Sequence, residues 1–422
     1  MLARTGAFLV TWTCLIAFLT PGPASAIEPP ASDTDAATAT RIRFDGDLRV
    51  RTLLARGLDD VPLGVDLRRS GTYHRVRIGA AMQRGSLDAR VELQSSGAFG
   101  AAGPQEAPLA VGLQQAWMRY RLSSSRFLFS VEAGRLSLHY GSGRQIGSYD
   151  MHPTGNAFDG LRLRGELDNV LQVDLLATRL RRDANQPELQ RSLYGVHASA
   201  TPTGSLKGDV YLLILRDGAQ ADEHDLQTMG IRVQWQPWGI VLAEMEAALQ
   251  FGRRNDSDPT ENDRLAHMLV LNLGAQGTLG LAFSGGLTLE LYSGDDDPTD
   301  GVERAWRPLY PDLDRVVGLL QRFAPSNLRT LGGWLQAGGN ELWSIRLVGR
   351  LLSQRVAEAD TAVGDGWQAI GGELDLALQL RPHPFHRISL LGGVLLPSSD
   401  PLTGAPTDPI GVATLLEWRG QF

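Results

Sequence analysis

The sequence predicts an all-β chain, closed as a transmembrane antiparallel β-barrel of eighteen strands and forming a monomeric pore, with sixteen the neighbouring even count. Three observations carry this. Apolar and polar residues alternate along nearly the whole chain, and the alternating segments often run 10–14 residues. The chain also ends on an aromatic, Phe422, in phase with the apolar residues before it. No segment after residue 26 is long and apolar enough for a spanning helix, which needs about 20 residues.

The first 26 residues are expected to be an address. A basic start (Arg4), an apolar run GAFLVTWTCLIAFL at 6–19 and the small-residue site Ala24-Ser25-Ala26 make a secretory signal peptide. The only cysteine, Cys14, lies inside that run, so a chain processed there holds no disulfide. Residues 27–40 (IEPPASDTDAATAT) read as a flexible leader, and 41–422 as the barrel. The net charge is -7, and a single lysine, Lys207, stands among 40 basic residues. Mean hydropathy is slightly negative, as a barrel with one polar face allows.

The strands follow from period two, because successive side chains of a strand point to opposite faces. In RIRFDGDLRVR (41–51), Ile42, Phe44, Leu48 and Val50 oppose Arg41, Arg43, Asp45, Asp47, Arg49 and Arg51. In YHRVRIGAAM, Val76, Ile78, Ala80 and Met82 oppose Arg75 and Arg77. ARVELQ, LRLRGEL, IRVQW, AEMEAALQF and GGELDLALQL repeat the split. A soluble sandwich also alternates. The segments here exceed the usual five or six residues of globular strands and suit the ~9–11 tilted residues that cross a bilayer. Candidate strands begin near residues 41, 72, 87, 112, 127, 158, 170, 193, 206, 227, 241, 265, 281, 329, 341, 367, 386 and 410. Their even number is the bacterial single-chain pattern. The longest connection, 293–328, is expected to fold over the outer mouth as a constriction or lid.

Two blocks carry a family resemblance. AGRLSLHYGSGRQIGSYDMHPTGNAFDGLRLR holds Gly134-Arg135, Tyr140-Gly141, Arg144, Ile146-Gly147 and Phe158-Asp159-Gly160. YSGDDDPTDGVERAWRPLYPDLDRVVG (292–318) adds an SGD-rich loop followed by Pro-Leu-Tyr-Pro. Both are similar to signature segments of the alginate-export family of outer-membrane proteins. Weaker echoes (ARVELQ, LQQAWMRY, EMEAALQFG, IGGELDLAL) follow in family order. Leu136, Tyr149 and the His152-Pro153 gap depart from the pattern and leave the cargo open. The resemblance implies a Gram-negative outer-membrane channel for an acidic polysaccharide, with Phe422 read by the barrel-assembly machinery and export partners in the periplasm.

With the apolar parity toward lipid, the other parity sends Arg43, Arg49, Arg51, Arg75, Arg77, Arg90, Arg119, Arg121, Arg162, Arg164, Arg232, Arg346 and Arg350 inward. Asp45, Asp47, Glu92, Glu244, Glu246, Glu373 and Asp375 partly offset them. Arginine stays charged and grips carboxylates with a planar fork, and rings of it are a common device of anion-selective pores. The leading substrate contacts are therefore Arg135, Arg144, Arg162 and Arg164, then Arg75, Arg77, Arg119 and Arg121. Asp159 is expected to cap a turn or pair with Arg144, with direct substrate contact as the minor reading. The function expected is passive passage of a uronate polymer, or of small anions on the same scaffold.

Bland readings stand beside these. Inward arginines also pair with inward carboxylates simply to fill a lumen. Asp295, Asp296 and Asp297 have calcium-like oxygen density but lack the full loop pattern, so a solvated loop is the plainer account. No other cofactor is implied, and no nucleic-acid partner. The histidines show no zinc spacing, and the glycines at 141–147 have no phosphate-loop lysine. Ser137-x-His139 alone does not make an enzyme, and a structural or adhesive barrel with a plugged lumen is the remaining rival class.

Overall fold

A computed structural model describes residues 39–58, 70–99, 110–180, 191–217, 224–253, 263–295, 300–316, 318–339, 341–355, 367–398 and 410–422. Residues 1–38, with the expected signal peptide and most of the leader, lie outside these. The strands are β1 Arg41–Arg56, β2 Gly71–Arg84, β3 Leu87–Phe99, β4 Ala110–Ser123, β5 Phe127–Leu136, β6 Phe158–Leu167, β7 Leu171–Leu180, β8 Arg191–Thr203 and β9 Leu206–Asp217. They continue as β10 His224–Trp235, β11 Val241–Arg253, β12 Asp263–Thr278, β13 Ala282–Tyr292 and the two-residue β14 Val302–Glu303. Last come β15 Leu328–Gly339, β16 Trp343–Arg355, β17 Trp367–His383, β18 His386–Pro397 and β19 Gly411–Gln421. Each pairs antiparallel with its chain neighbour, except that β14 only adds a short parallel pairing to β12, and β13 pairs directly with β15.

β1 then pairs with β19, from Asp47↔Gln421 to Arg56↔Val412, and closes eighteen strands into a barrel. Closure is what lipid demands, since an open edge would leave backbone groups unpaired. At the seam the Gly46 and Phe422 backbones exchange hydrogen bonds of 2.9 and 3.1 Å.

Connections at one end take two to five residues, and those at the other six or more. Outer-membrane barrels keep their short turns on the periplasmic side, so the long connections and their end of the barrel are extracellular. The outward face is apolar: Phe44, Leu287, Leu335 and Leu351 are exposed, while Arg75, Asp174, Glu246 and Glu373 on the other parity are buried inside.

The inside is less uniformly charged than simple alternation predicts. Toward the extracellular end many inward positions of β7 to β12 are apolar, among them Leu176, Leu193, Leu213, Leu226, Met268 and Val270. They cover two connections that fold into the barrel, residues 137–157 and the described part of 293–327. The two segments lock together: Gly147 N–H donates to Tyr310 O (2.8 Å), Tyr310 N–H to Gln145 O (2.8 Å) and Asp312 N–H to Gly143 O (2.9 Å). Phe158 packs edge-on against Tyr310, with ring centroids 5.5 Å apart, beside buried Leu136, Leu138, Ile146, Trp306 and Leu320. The long connection thus forms part of an internal constriction rather than a cover over the mouth.

Gly134 keeps a positive φ of 126°, and a Cβ there would overlap the Ala116 carbonyl oxygen on β4. A Gly134→Ala substitution is expected to cost about 1–3 kcal/mol of folded barrel. Heat-modifiability gels read this as a lower temperature for loss of the compact band; an unshifted temperature refutes the close approach.

Candidate functional site

Segment 137–157 crosses the lumen and is held at both walls. On the β1–β2–β19 wall its Asp150 is met by Arg75 (Nη2–Oδ1 2.7 Å), Arg419 (Nη1–Oδ2 3.1 Å), Arg77 (3.4 Å) and Arg49 (3.8 Å). Arg49 donates to the Asp150 carbonyl and Arg51 to the Met151 carbonyl, both at 2.5 Å, and Gln94 to the Thr154 carbonyl at 3.2 Å. Burial works to raise the Asp150 carboxyl's pKa, yet the four guanidiniums hold it well below the usual carboxylate range. Asp47 takes Arg75 at 3.3 Å and also Arg419, and Glu417 takes Arg51 at 2.5 Å.

On the far wall, Tyr140 donates to Asp174 at 2.7 Å and Ser142 to Glu246 at 2.5 Å. Arg144 reaches Glu290 at 2.7 Å and lies 3.9 Å from Glu246. Burial and the neighbouring Asp174 push the Tyr140 phenol's pKa up, so it remains a donor. Beside this segment Arg232 bridges Glu244 (2.7 Å) and Asp209 (3.0 Å), and Arg350 reaches Asp375 (2.6 Å). Backbone N–H groups of Leu319 and Leu320 on the second segment donate to Asp375 (3.2 Å) and Glu373 (3.3 Å).

Between segment 141–144 and the β10–β17 wall lies a cavity of about 300 Å³. Arg144, Arg232, Arg346 and Arg350 line it with Glu244, Glu290 and Asp375, as do Asn272, Thr288, Thr330 and Trp334. The Arg346 guanidinium sits over the Trp334 ring, 5.4 Å from its centroid. Charge of both signs, side-chain hydroxyls and an indole thus meet on one cavity wall.

Most sequence-predicted contacts face the lumen, each beside a carboxylate. Arg162 pairs with Glu132, Arg164 with Asp174 at 2.7 Å, and Arg119 and Arg121 with Asp88, each at 2.9 Å. Arg135 and Asp159 do not line the pore. They pair with each other at 2.6 and 2.9 Å on the outer face, where Arg135 also donates to the Leu113 carbonyl. The reason is strand parity: their neighbours Leu136 and Phe158 take the inward positions. The Arg144 partner expected for Asp159 is Glu290 instead.

Asp295 lies 4.0 Å and Asp300 2.6 Å from Arg304, while Asp296 and Asp297 lie outside the described residues. Among the described residues no three His, Asp or Glu gather as a metal site. His139 Nδ1 is 3.2 Å from Asp312 Oδ2, and among the described residues no serine hydroxyl bonds that ring.

Sequence reasoning missed Asp150, whose stretch SYDMHP has no period to read. It also missed Glu417 and Arg419, although both oppose the apolar phase of Leu416 and Trp418 and were open to detection.

A profile described as alginate export matches residues 40–339. The chain belongs to the alginate-export family. Three solved barrels resemble it in fold. OpdK of Pseudomonas aeruginosa has a TM-score of 0.60 at 11% identity, covering 90% of this chain and 99% of that one. OccK2 (OpdF) of the same organism, solved in complex with glucuronate, has 0.60 at 12%, covering 90% and 98%. OccAB4 of Acinetobacter baumannii has 0.55 at 10%, covering 92% and 100%. No curated protein matches the chain by sequence. Membership of the alginate-export family, together with this fold, makes the protein an outer-membrane channel of porin type, a class without enzymes.

Replacing Asp150 with Asn leaves guanidiniums facing a neutral amide in a buried site, at a cost of about 3–5 kcal/mol. The variant is expected to show a lowered thermal transition and noisy single-channel current. A quiet, unshifted channel removes Asp150 as the anchor. The depressed carboxyl pKa also sets a pH window. Its stabilisation is complete above the unfolded value of about 3.9 and is lost as pH falls through the folded one. Conductance is therefore expected to stay flat from pH 8 to about 5.

Arg135→Ala, on the outer face, is expected to leave the reversal potential in a salt gradient unchanged, whereas Arg144→Ala shifts it toward cations. Equal shifts from both would contradict the outward placement.

Proposed function

We propose that the channel passes uronate-bearing saccharides by passive diffusion through the cavity beside segment 141–144. The observation that carries this is the convergence of Arg144, Arg232, Arg346 and Arg350 on one cavity next to Trp334. Family membership supports an acidic polysaccharide as cargo, and the glucuronate in OccK2 supports uronate chemistry on a barrel of this fold.

The wall carboxylates set the mechanism. Each guanidinium that meets a passing carboxylate exchanges one acidic partner for another, so the sugar acid is neither refused nor trapped. A pore needs binding weak and repeated enough to let its cargo leave. No bond is made or broken, and direction follows the gradient. Phe422, exposed at the barrel seam, is the contact we assign to the assembly machinery.

Passage of small carboxylates is the second reading, favoured by the two segments folded across the lumen. Planar-bilayer recordings separate the two. For polymer passage, an oligouronate is expected to interrupt the current at a concentration at least about tenfold below free glucuronate, and Arg346→Gln to weaken that block by about tenfold. Equal potency of the two ligands selects the small-anion reading. A barrel without discrete current steps defeats both.

A further inference from the structure

Four guanidiniums stand side by side in one register row of the lumen wall. Arg387 on β18 is directly opposite Arg419 on β19, Arg419 opposite Arg49 on β1, and Arg49 opposite Arg75 on β2. Like charges facing each other across neighbouring strands destabilise a sheet, so each member of the row calls for a counter-charge. Asp150 supplies one to Arg75, Arg419 and Arg49, and Asp47 adds a second to Arg75 and Arg419. Arg387 is left out of this exchange. Among the described residues no carboxylate stands within ion-pair distance of it, and no hydrogen bond engages its fork. Glu417 and Asp150 act on it only from farther away, each already held by a nearer guanidinium.

Arg381 on β17 lies within electrostatic reach of Arg387, and among the described residues its guanidinium likewise has no carboxylate or hydrogen-bond partner. Their strand neighbours Leu380 and Ile388 stand opposite each other on the lipid face, so both arginines fall on the lumen parity, where they are half-buried. The turn between His383 and His386 is a short one, which sets the pair at the periplasmic mouth. A polar track leads inward from it. Gln379 and Ser389 come next, opposite each other and buried. Then comes Ala377, opposite Leu391 on one side and Arg346 on the other, and all three line the cavity beside segment 141–144. Four residues of strand separate Arg381 from Ala377, about 13 Å.

The geometry points to Arg381 and Arg387 as the periplasmic receiving site of the channel, which takes the carboxylate of a uronate and passes it along Gln379 and Ser389 to Arg346. This inference rests on the uronate reading and gives that passage an entrance. A carboxylate is the fitting ligand because the same arginine row already holds two, those of Asp150 and Asp47. Deeper guanidiniums must release a wall carboxylate to meet the cargo, whereas this pair has none to give up and gains the whole charge-assisted contact. Capture at the mouth followed by exchange inside is the order a solute arriving from the periplasm needs.

The test reads the two residues directly, by peptide mass mapping of the folded full chain in detergent after brief reaction with an arginine-selective glyoxal. Arg381 and Arg387 are expected to be labelled at least about fivefold faster than Arg419, whose donors are occupied, and glucuronate to slow them at least about threefold where glucose does not. Labelling indifferent to glucuronate, or slowed equally by glucose, overturns the site. Planar bilayers read its role, with an oligouronate added to one side at a time. The double variant Arg381→Gln, Arg387→Gln is expected to slow the onset of block from the periplasmic side at least about threefold and to leave extracellular onset unchanged. Arg84→Gln, on the outward parity at the same end, is expected to change neither. Equal slowing from both sides, or none, removes the entrance. An oligouronate that blocks from neither side defeats the pore reading instead, and the labelling still decides whether the carboxylate site exists.

Discussion

A charge enclosed by a barrel wall has to find a partner, because the interior of a narrow pore hydrates it poorly and an unpaired buried ion costs several kcal/mol. That constraint organises the lumen. Guanidiniums projecting from nearly every part of the wall are matched by carboxylates on the next strand or on the inward segments, as Arg164 is by Asp174 and Arg350 by Asp375. The matching also places segment 137–157. Its Asp150 goes where guanidiniums of β1, β2 and β19 converge, and its Ser142 and Arg144 go where Glu246 and Glu290 face inward. The segment crosses the pore because each wall offers what it lacks.

Apolar packing supplies the other half of that placement. An inward-folded connection brings backbone and aromatic rings into a space that strands alone would leave to water. The extracellular half of the wall therefore carries leucine on both parities. DVYLLILRD on β9 shows this: Val210 and Leu212 face lipid, while Leu213 and Leu215 face the inserted segments. Trp306, Tyr310 and Phe158 then form an ordinary protein core inside a membrane barrel. The two segments bond to each other through backbone groups, so they act as one body, and the cavity beside them keeps its shape.

Period two made the barrel legible. Every one of the eighteen strand starts read from the alternation falls within three residues of the observed one, because lipid tolerates few polar side chains on the outward face. The same rule places Asp159 and Arg135 outside the lumen. Asp159 is an odd number of residues from Arg162 and Arg164 and cannot share their face. Arg135 follows it outward because the two stand in register. At those two positions parity, not motif likeness, decides the face. Asp150 was illegible for a different reason: its role depends on a long connection turning inward, and no local pattern in SYDMHP encodes that turn. The pairing of arginine with acid across strands was equally hidden, since register between strands is a property of the closed sheet.

On the proposed reading, a lumen neutralised pair by pair suits an anionic polymer. A bare ring of guanidiniums would bind a polyanion at many points at once and hold it. Wall carboxylates 2.6–3.9 Å from the same guanidiniums compete for each site, so a uronate gains only the difference between two similar contacts. On that reading the differences stay small at every step along the chain of sugars, and Arg346 over Trp334 adds one more guanidinium to the series. Selectivity of this kind comes from repeated exchange between near-equal partners rather than from a deep well, and a carrier of long acidic chains needs that flatness more than it needs affinity.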